Sequence, residues 1–363
     1  NTGDIVNIES STDIDELNEL LDDINIDSKD IKNGNYEIPK YRAIYLDSLK
    51  HNRYDIIETD NSFTEFINKF RMYKDIDITF DEFDEKTLRP YQKDGVKWLY
   101  TLYKCDLGGI LADEMGLGKS IQLIYLIKQI IKEKNDSKIL IVAPTSLIYN
   151  WKNEFDKFGS ELKYKVMAES KTKRKEDFNN LDDTNIIITS YGLIREDSEE
   201  YEKINFELIT IDEAQNIKNY NTMMTKEIKK LNANTKIALT GTPLENSVME
   251  LWSIFDFIMP GFLTNLKAFQ SKYNIKDTDE ENINRLDNLK LQIKPFILRR
   301  KKSDVLTELP PKIENNIYID LNTEQKKLYA SVVEKTKKEI GGLYDRRKER
   351  RVVGVSLGRW GNP

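Results

Sequence analysis

From residue 105 onward, short apolar runs alternate with amphipathic stretches. LGGILA, KILIVAP, YKVMA, NIIITS, FELITID and TKIALTG are apolar with few interruptions, as strands buried on both faces must be. Between them lie KSIQLIYLIKQIIKEK, SLIYNWKNEFDKF, the Lys-rich 170–180 stretch, LIREDSEEYEK and TMMTKEIKKLN, which read as helices. This order predicts an α/β fold, a parallel sheet with crossover helices on both faces. Several runs end in a polar cluster: Asp113, Pro144-Thr145, Ser190, Asp212-Glu213 and Thr240-Gly241. Ligands bind at the carboxyl ends of strands in such sheets, so the clusters are expected to converge on one edge.

The flanks are less regular. Residues 245–258 predict an apolar helix before Pro260-Gly261, followed by helices over 264–274 and 279–293. The basic stretch LRRKK and Leu309-Pro310-Pro311 come next, before a further strand and helix. In the leading segment, DIDELNELLDDI and FTEFINKFRMY have helical spacing, and the short apolar runs between polar turns suggest a small α+β leader. The expected division is an acidic leader over 1–80 and a main body over 81–300 with a helical insertion at about 262–295. A linker and the start of another unit over 301–340 and a basic tail over 341–363 complete it.

Charge sharpens that division. Residues 1–80 hold eighteen acidic and nine basic side chains, a net of −9 within a total of −6, so the remainder is slightly basic. The acidic pI therefore does not argue against a nucleic-acid partner for the main body. Cys105 and His51 are the only residues of their kinds, which removes disulfide frameworks, thiolate clusters, His-based zinc sites and Ser-His-Asp catalysis. No apolar run is long enough to span a membrane, and no secretory signal is evident, so a cytoplasmic chain is expected. Residue 1 is Asn, which implies a start inside a longer protein. RRKERRVVGVSLGRWGNP holds 5 of the 14 arginines and reads either as foreign to the natural chain or as a basic DNA-binding extension.

The chemistry is carried by LADEMGLGKS at 111–120. It follows a predicted strand and opens a predicted helix, the setting of a phosphate-binding loop, with Asp113 where the general pattern has glycine. Gly116 and Gly118 let backbone amides turn toward phosphate oxygens, and the helix N-terminus adds partial positive charge. Lys119 would reach the β- and γ-phosphates, and Ser120 would ligate Mg²⁺. FELITIDEAQ supplies the second half: Asp212 at a strand tip can hold Mg²⁺, and Glu213 can orient or deprotonate a water.

DEMGLGKS, DEAQ, LTGTPLEN and LRPYQKDGVKWL together resemble the SNF2 family of superfamily 2 DNA-dependent ATPases, over roughly residues 86–337 and in the family's order. The resemblance implies a RecA-like first motor lobe, in which Asp113 is the family's own choice. ATP would be cradled by Asp113, Met115, Gly116, Leu117, Gly118, Lys119 and Ser120, with Arg89 and Gln92 at the adenine and Tyr91 beside them. Thr145 and Ser146 in APTSLIYNW, and Thr189, Ser190 and Tyr191 in ITSYGLIR, become contacts to the double-stranded DNA backbone. Taken alone, the first pair also fits a helix N-cap, Tyr191 also fits the core, and Trp151 reads as packing. Gln215, standing where histidine is common in the family, Thr240, Gly241 and Thr242 would couple nucleotide state to DNA.

FILRRKKSDVLTELPPK resembles the segment leading toward a second RecA-like lobe, making Arg299 and Arg300 structural braces or interlobe contacts. YEIPKYRAIYLDSL resembles the segment before the motor in bacterial SNF2 proteins. No equivalent of the later family motifs is found, including the arginine that completes the γ-phosphate site. The resemblance thus implies half of a translocase that, in a bacterial cell near the nucleoid, would displace an unidentified DNA-bound protein. The alternative is a nucleotide- or DNA-binding module or scaffold without turnover.

Overall fold

Seven strands, all parallel, form one sheet in the order β3-β4-β2-β5-β6-β1-β7. They are β1 (Gly109–Leu111), β2 (Ile139–Ala143), β3 (Tyr164–Met167), β4 (Ile186–Ser190), β5 (Phe206–Ile211), β6 (Ala233–Leu239) and β7 (Ile297–Leu298). The first six fall on the apolar runs. The seventh lies inside FILRR and has no apolar run of its own, because it is only two residues long and is defined by pairing along β1. This computed structural model describes residues 39–52, 60–76, 78, 80, 82–241, 248–273, 280–306 and 321–347. DIDELNELLDDI and the strand expected after Pro311 lie outside the described residues.

The helices preceding the sheet are α1 (Lys40–Asn52), α2 (Asn61–Arg71), α3 (Glu82–Thr87) and α4 (Pro90–Lys104). Asp60 starts α2 by accepting the Phe63 amide at 2.7 Å, which satisfies one orphan donor of its first turn. Phe63, Ile67 and Phe70 then recur at helical spacing and are buried. Where the pattern suggests an α+β leader, its described residues carry helices and a short 3-10 turn at Tyr73–Asp75, and no strand. Helices α1, α2 and α4 share one core with the sheet: Phe70 lies 6.1 Å from Phe296 and Tyr41 lies 5.4 Å from Phe262, ring centre to ring centre.

The crossover helices are α5 (Lys119–Glu133), α6 (Ile148–Phe158), α7 (Lys171–Phe178), α8 (Tyr191–Glu196), α9 (Ser198–Tyr201) and α10 (Met223–Lys230). LIREDSEEYEK, expected as one helix, is broken at Asp197 for an electrostatic reason. Its carboxylate turns to the buried Arg174, receiving Nε at 2.5 Å and Nη2 at 3.2 Å. After β6 comes α11 (Val248–Ile258), then α12 (Leu266–Tyr273) and α13 (Glu280–Ile293) in the segment expected as a helical insertion, and α14 (Lys302–Val305) follows β7. All of these belong to a unit spanning residues 1–308. In the second unit, α15 (Thr323–Arg347) begins with a reciprocal cap. Asn322 accepts the Gln325 amide at 2.9 Å, and Gln325 accepts the Asn322 amide at 3.0 Å. The helix continues to Arg347, past the expected start of the basic tail. Among the described residues, no helix is long and apolar enough to cross a membrane.

One buried charge makes stability depend on pH. Lys236 of β6 is buried with its ammonium 5.2 Å from the Phe257 ring centre, and burial pulls its pKa down to about 8 against the opposing pull of Asp256. In the unfolded chain a lysine titrates near ~10.4, so between about 8 and ~10.4 the unfolded state holds the extra proton. Stability should therefore rise with pH across that window. Relative to Lys236→Met, the native chain should gain up to about 3 kcal/mol between pH 7.5 and 10, measured by urea denaturation. Parallel curves for the two proteins would refute this.

Candidate nucleotide-binding site

The site is assembled by strand order. Parallel pairing sets Leu111 of β1 opposite Leu239 of β6, and Ile211 of β5 opposite Ala238. The loop after β1, Thr240 after β6 and Asp212 after β5 thus emerge from neighbouring strand tips. The loop turns at Gly116 (φ 87°) and Gly118 (φ 75°), both in the left-handed region that glycine tolerates. At Gly118 a side chain has no room either, since a β-carbon would fall 2.5 Å from the Gln92 amide nitrogen. Gly241 is pressed in the same way by Met115, whose Cγ would lie 2.9 Å from a β-carbon there.

Lys119 opens α5 and folds back over the loop, donating to the Asp113 carbonyl at 2.9 Å. Burial lowers its pKa, and the carboxylates of Glu213, Asp113 and Asp212 pull the other way. Ser120 follows it in the first turn of α5. Gln92 clamps α4 to the loop: its Nε2 donates to the Leu117 carbonyl at 3.2 Å, and its Oε1 accepts the Arg89 amide at 2.9 Å. One N–H and one lone pair remain, the pair of groups that an adenine edge would need. Arg89 is the N-cap of α4, and Tyr91 donates its hydroxyl to the same Leu117 carbonyl at 3.2 Å.

At the tip of β5, the Asp212 carboxylate accepts the Glu213 amide at 2.8 Å and the Trp151 indole N–H at 2.9 Å. Burial raises the pKa of this carboxyl, against those two hydrogen bonds. Trp151 does pack, as expected, but it also ties α6 to the acidic pair, a link no sequence pattern signals. Glu213 sits at φ 50°, ψ 58°, a left-handed conformation that costs a non-glycine residue energy and is concentrated at functional sites. Its carboxylate accepts Gln215 Nε2 at 2.7 Å, and Gln215 Oε1 accepts the Thr240 hydroxyl at 3.1 Å. An unbroken relay thus runs from Glu213 through Gln215 to Thr240. Thr242 lies outside the described residues.

Four expected ligand contacts are redirected by burial. Asp113 has no exposed surface. Instead of facing phosphate it braces the loop from behind, accepting Arg300 Nε at 2.9 Å, the Arg300 amide at 3.1 Å and Gln122 Nε2 at 3.1 Å, with Arg300 Nη2 closing the fork. Thr189 is also fully buried and donates to the Met167 carbonyl at 3.2 Å. Ser190 is buried and caps α8 by accepting the Leu193 amide at 3.4 Å. Tyr191 donates to the Asp212 carbonyl at 2.5 Å, and burial among acidic groups raises its pKa well above the ordinary value. Of the three, Tyr191 supports the DEAQ loop, whereas Thr189 ties β4 to β3 and Ser190 caps α8. Thr145 and Ser146 remain exposed at the tip of β2, in the turn that starts α6.

Arg300 is the residue whose importance exceeds its sequence signal. Beyond its pairing with Asp113, it donates to Gln122 Oε1 at 2.7 Å and to the Tyr91 backbone carbonyl, and its guanidinium carbon lies 5.2 Å from the Tyr91 ring centre. Gln122 did leave a trace, as the one amide in the apolar run IQLIYLI.

Comparison with known proteins agrees with this geometry. The SNF2-related domain matches residues 91–357, and the bacterial SNF2 helicase-associated domain matches residues 1–81. The chain belongs to the SNF2 family. Among similar proteins, an uncharacterized ATP-dependent helicase of Mycoplasma pneumoniae is 39% identical over 86% of this chain and 29% of the relative. A putative ATP-dependent helicase/translocase of Bacillus subtilis is 40% identical over 75% of this chain and 30% of the relative. This SNF2 chain thus spans less than a third of those proteins. The SWI2/SNF2 ATPase core of Sulfolobus solfataricus in complex with dsDNA superposes with a TM-score of 0.57 at 38% identity, covering 74% of this chain and 55% of that one. The sheet is therefore the RecA-like sheet of SNF2 cores.

Replacing Arg300 with Leu would leave the Asp113 carboxylate buried without its cation. The expected cost is about 3–5 kcal/mol in urea denaturation, the range for breaking a buried pair from one side. A loss below about 1 kcal/mol would place the brace elsewhere.

Proposed function

We propose that this chain is the ATP-binding first lobe of a SNF2-type, DNA-dependent ATPase that moves along double-stranded DNA and displaces bound proteins. The observation that carries the reading is the arrangement on three neighbouring strand tips. Lys119, the Asp212-Glu213 pair and the Gln215–Thr240 relay all face one cleft edge. The relatives' names support ATP use, and the DNA bound to the Sulfolobus core supports a duplex partner.

Each group would have a distinct task. The loop amides and Lys119 would bind and orient the phosphates, with Gln92 and Arg89 at the base. Ser120 and Asp212 offer the hydroxyl and carboxylate oxygens that suit Mg²⁺, and Asp212 keeps lone pairs beyond its two hydrogen bonds. When bound, Mg²⁺ neutralises phosphate charge. Glu213 would orient water and take its proton, and its bond to Gln215 ties that position to Thr240. Thr145 and Ser146 would meet the DNA backbone, with Trp151 of α6 carrying their movement to Asp212.

These residues line one wall of a cleft, and a second lobe would supply the other, excluding water and adding positive charge at the γ-phosphate. The exposed Leu328, Tyr329 and Val332 of α15 support further folded structure against that helix. The 363-residue chain alone is accordingly expected to hydrolyse ATP barely, with or without DNA.

Lys119→Ala should weaken MgATP binding at least tenfold by calorimetry while leaving the thermal midpoint in place. Unchanged affinity would remove the loop's assignment. In the full-length protein, Glu213→Gln should retain ATP binding and lose DNA-stimulated phosphate release, since an amide cannot act as a base. Turnover at the parental rate would end the case for Glu213.

A further inference from the structure

The segment leaving the sheet does more than brace the loop. We propose that Lys302 is a second lysine of the nucleotide site, a phosphate contact delivered from the exit segment and not from the loop itself. This inference rests on the nucleotide reading given above.

The placement follows from backbone pairing. β7 lies in parallel register with β1, setting Leu298 opposite Leu111. The pairing continues beyond both strands: the Ala112 amide donates to the Leu298 carbonyl at 2.7 Å, and the Glu114 amide to the Arg300 carbonyl at 3.0 Å. Glu114 then accepts the Lys302 amide at 2.7 Å, so residues 298–302 run alongside 112–114 as one ribbon. Arg300 pins the middle of that ribbon through Asp113. The Lys302 side chain is thereby brought to the loop. A β-carbon built on Gly116 would lie 3.3 Å from both its Cε and its Nζ.

The electrostatics distinguish Lys302 from Arg300 beside it. The guanidinium is consumed by Asp113, Gln122 and Tyr91. Among the described residues, the Lys302 ammonium has no carboxylate within ion-pair distance and donates no hydrogen bond. An ammonium held against an exposed glycine of a phosphate-binding loop, and left unpaired there, is placed to meet a polyanion. It also comes from the β7 side of the loop, where Gln92 and Tyr91 hold Leu117, whereas Lys119 lies on the β6 side toward Gly241. The two lysines would then grip the phosphate chain from opposite sides. Since Lys302 opens α14, phosphate binding would also fix the start of the chain beyond the sheet.

The test is calorimetric titration of the 363-residue chain with MgATP, and with adenosine as a phosphate-free control. Lys302→Gln should lose about tenfold in MgATP affinity with no change in thermal midpoint. Lys302→Arg should recover most of it, since charge is what is required. The dependence of log Kd on log salt should also become shallower in Lys302→Gln. Affinity for MgATP unchanged in Lys302→Gln, with Lys119→Ala still defective, would overturn this proposal and leave the loop assignment intact. Equal weakening toward MgATP and adenosine would also overturn it, by revealing a structural role. Failure of the native chain to bind MgATP at all would take down both readings.

Discussion

Asp113 and Arg300 meet across 187 residues of sequence, and the geometry of the site depends on their meeting. A carboxylate with no exposed surface would be costly alone, and a guanidinium placed behind the loop would have no purpose without it. Together they lock a glycine-bearing loop, which would otherwise be among the least constrained parts of the fold, to the last strand of the sheet. Gln122 fills the remaining hydrogen-bonding positions, so the pair is satisfied on several sides and holds one arrangement.

The other side of the site is organised by hydrogen bonds to the DEAQ loop. Tyr191 holds its backbone from the start of α8, Trp151 holds Asp212 from α6, and Gln215 joins Glu213 to Thr240. Each support comes from a different strand tip or crossover, so a displacement at any one of them reaches the acidic pair within one or two bonds. The exposed turn at Thr145 and Ser146 directly precedes α6, whose Trp151 indole touches Asp212.

The sheet was legible because strands buried on both faces leave unbroken apolar runs, as ILIVA and FELITI do. The loop was legible because glycines, lysine and serine must stand in fixed order for backbone amides to face phosphate. What escaped was whatever depends on distant partners. β7 is two residues defined only by its neighbour, and Asp197 breaks a helix only because Arg174 waits for it. The burial of Asp113, Thr189, Ser190 and Tyr191 has the same origin. A polar residue after an apolar strand can face the cleft or turn beneath it, and local sequence does not distinguish the two.

Glu213 carries a separate consequence. Its backbone adopts a left-handed conformation that glycine takes without cost, asparagine or aspartate tolerates, and other side chains disfavour. The strain is on the order of 1–3 kcal/mol, a sizeable share of the margin by which an ordinary domain stays folded. Selection for thermal robustness alone would therefore drive this position toward glycine, raising the melting temperature while deleting the carboxylate. A glutamate in that conformation trades folding stability for a carboxylate held beside Gln215.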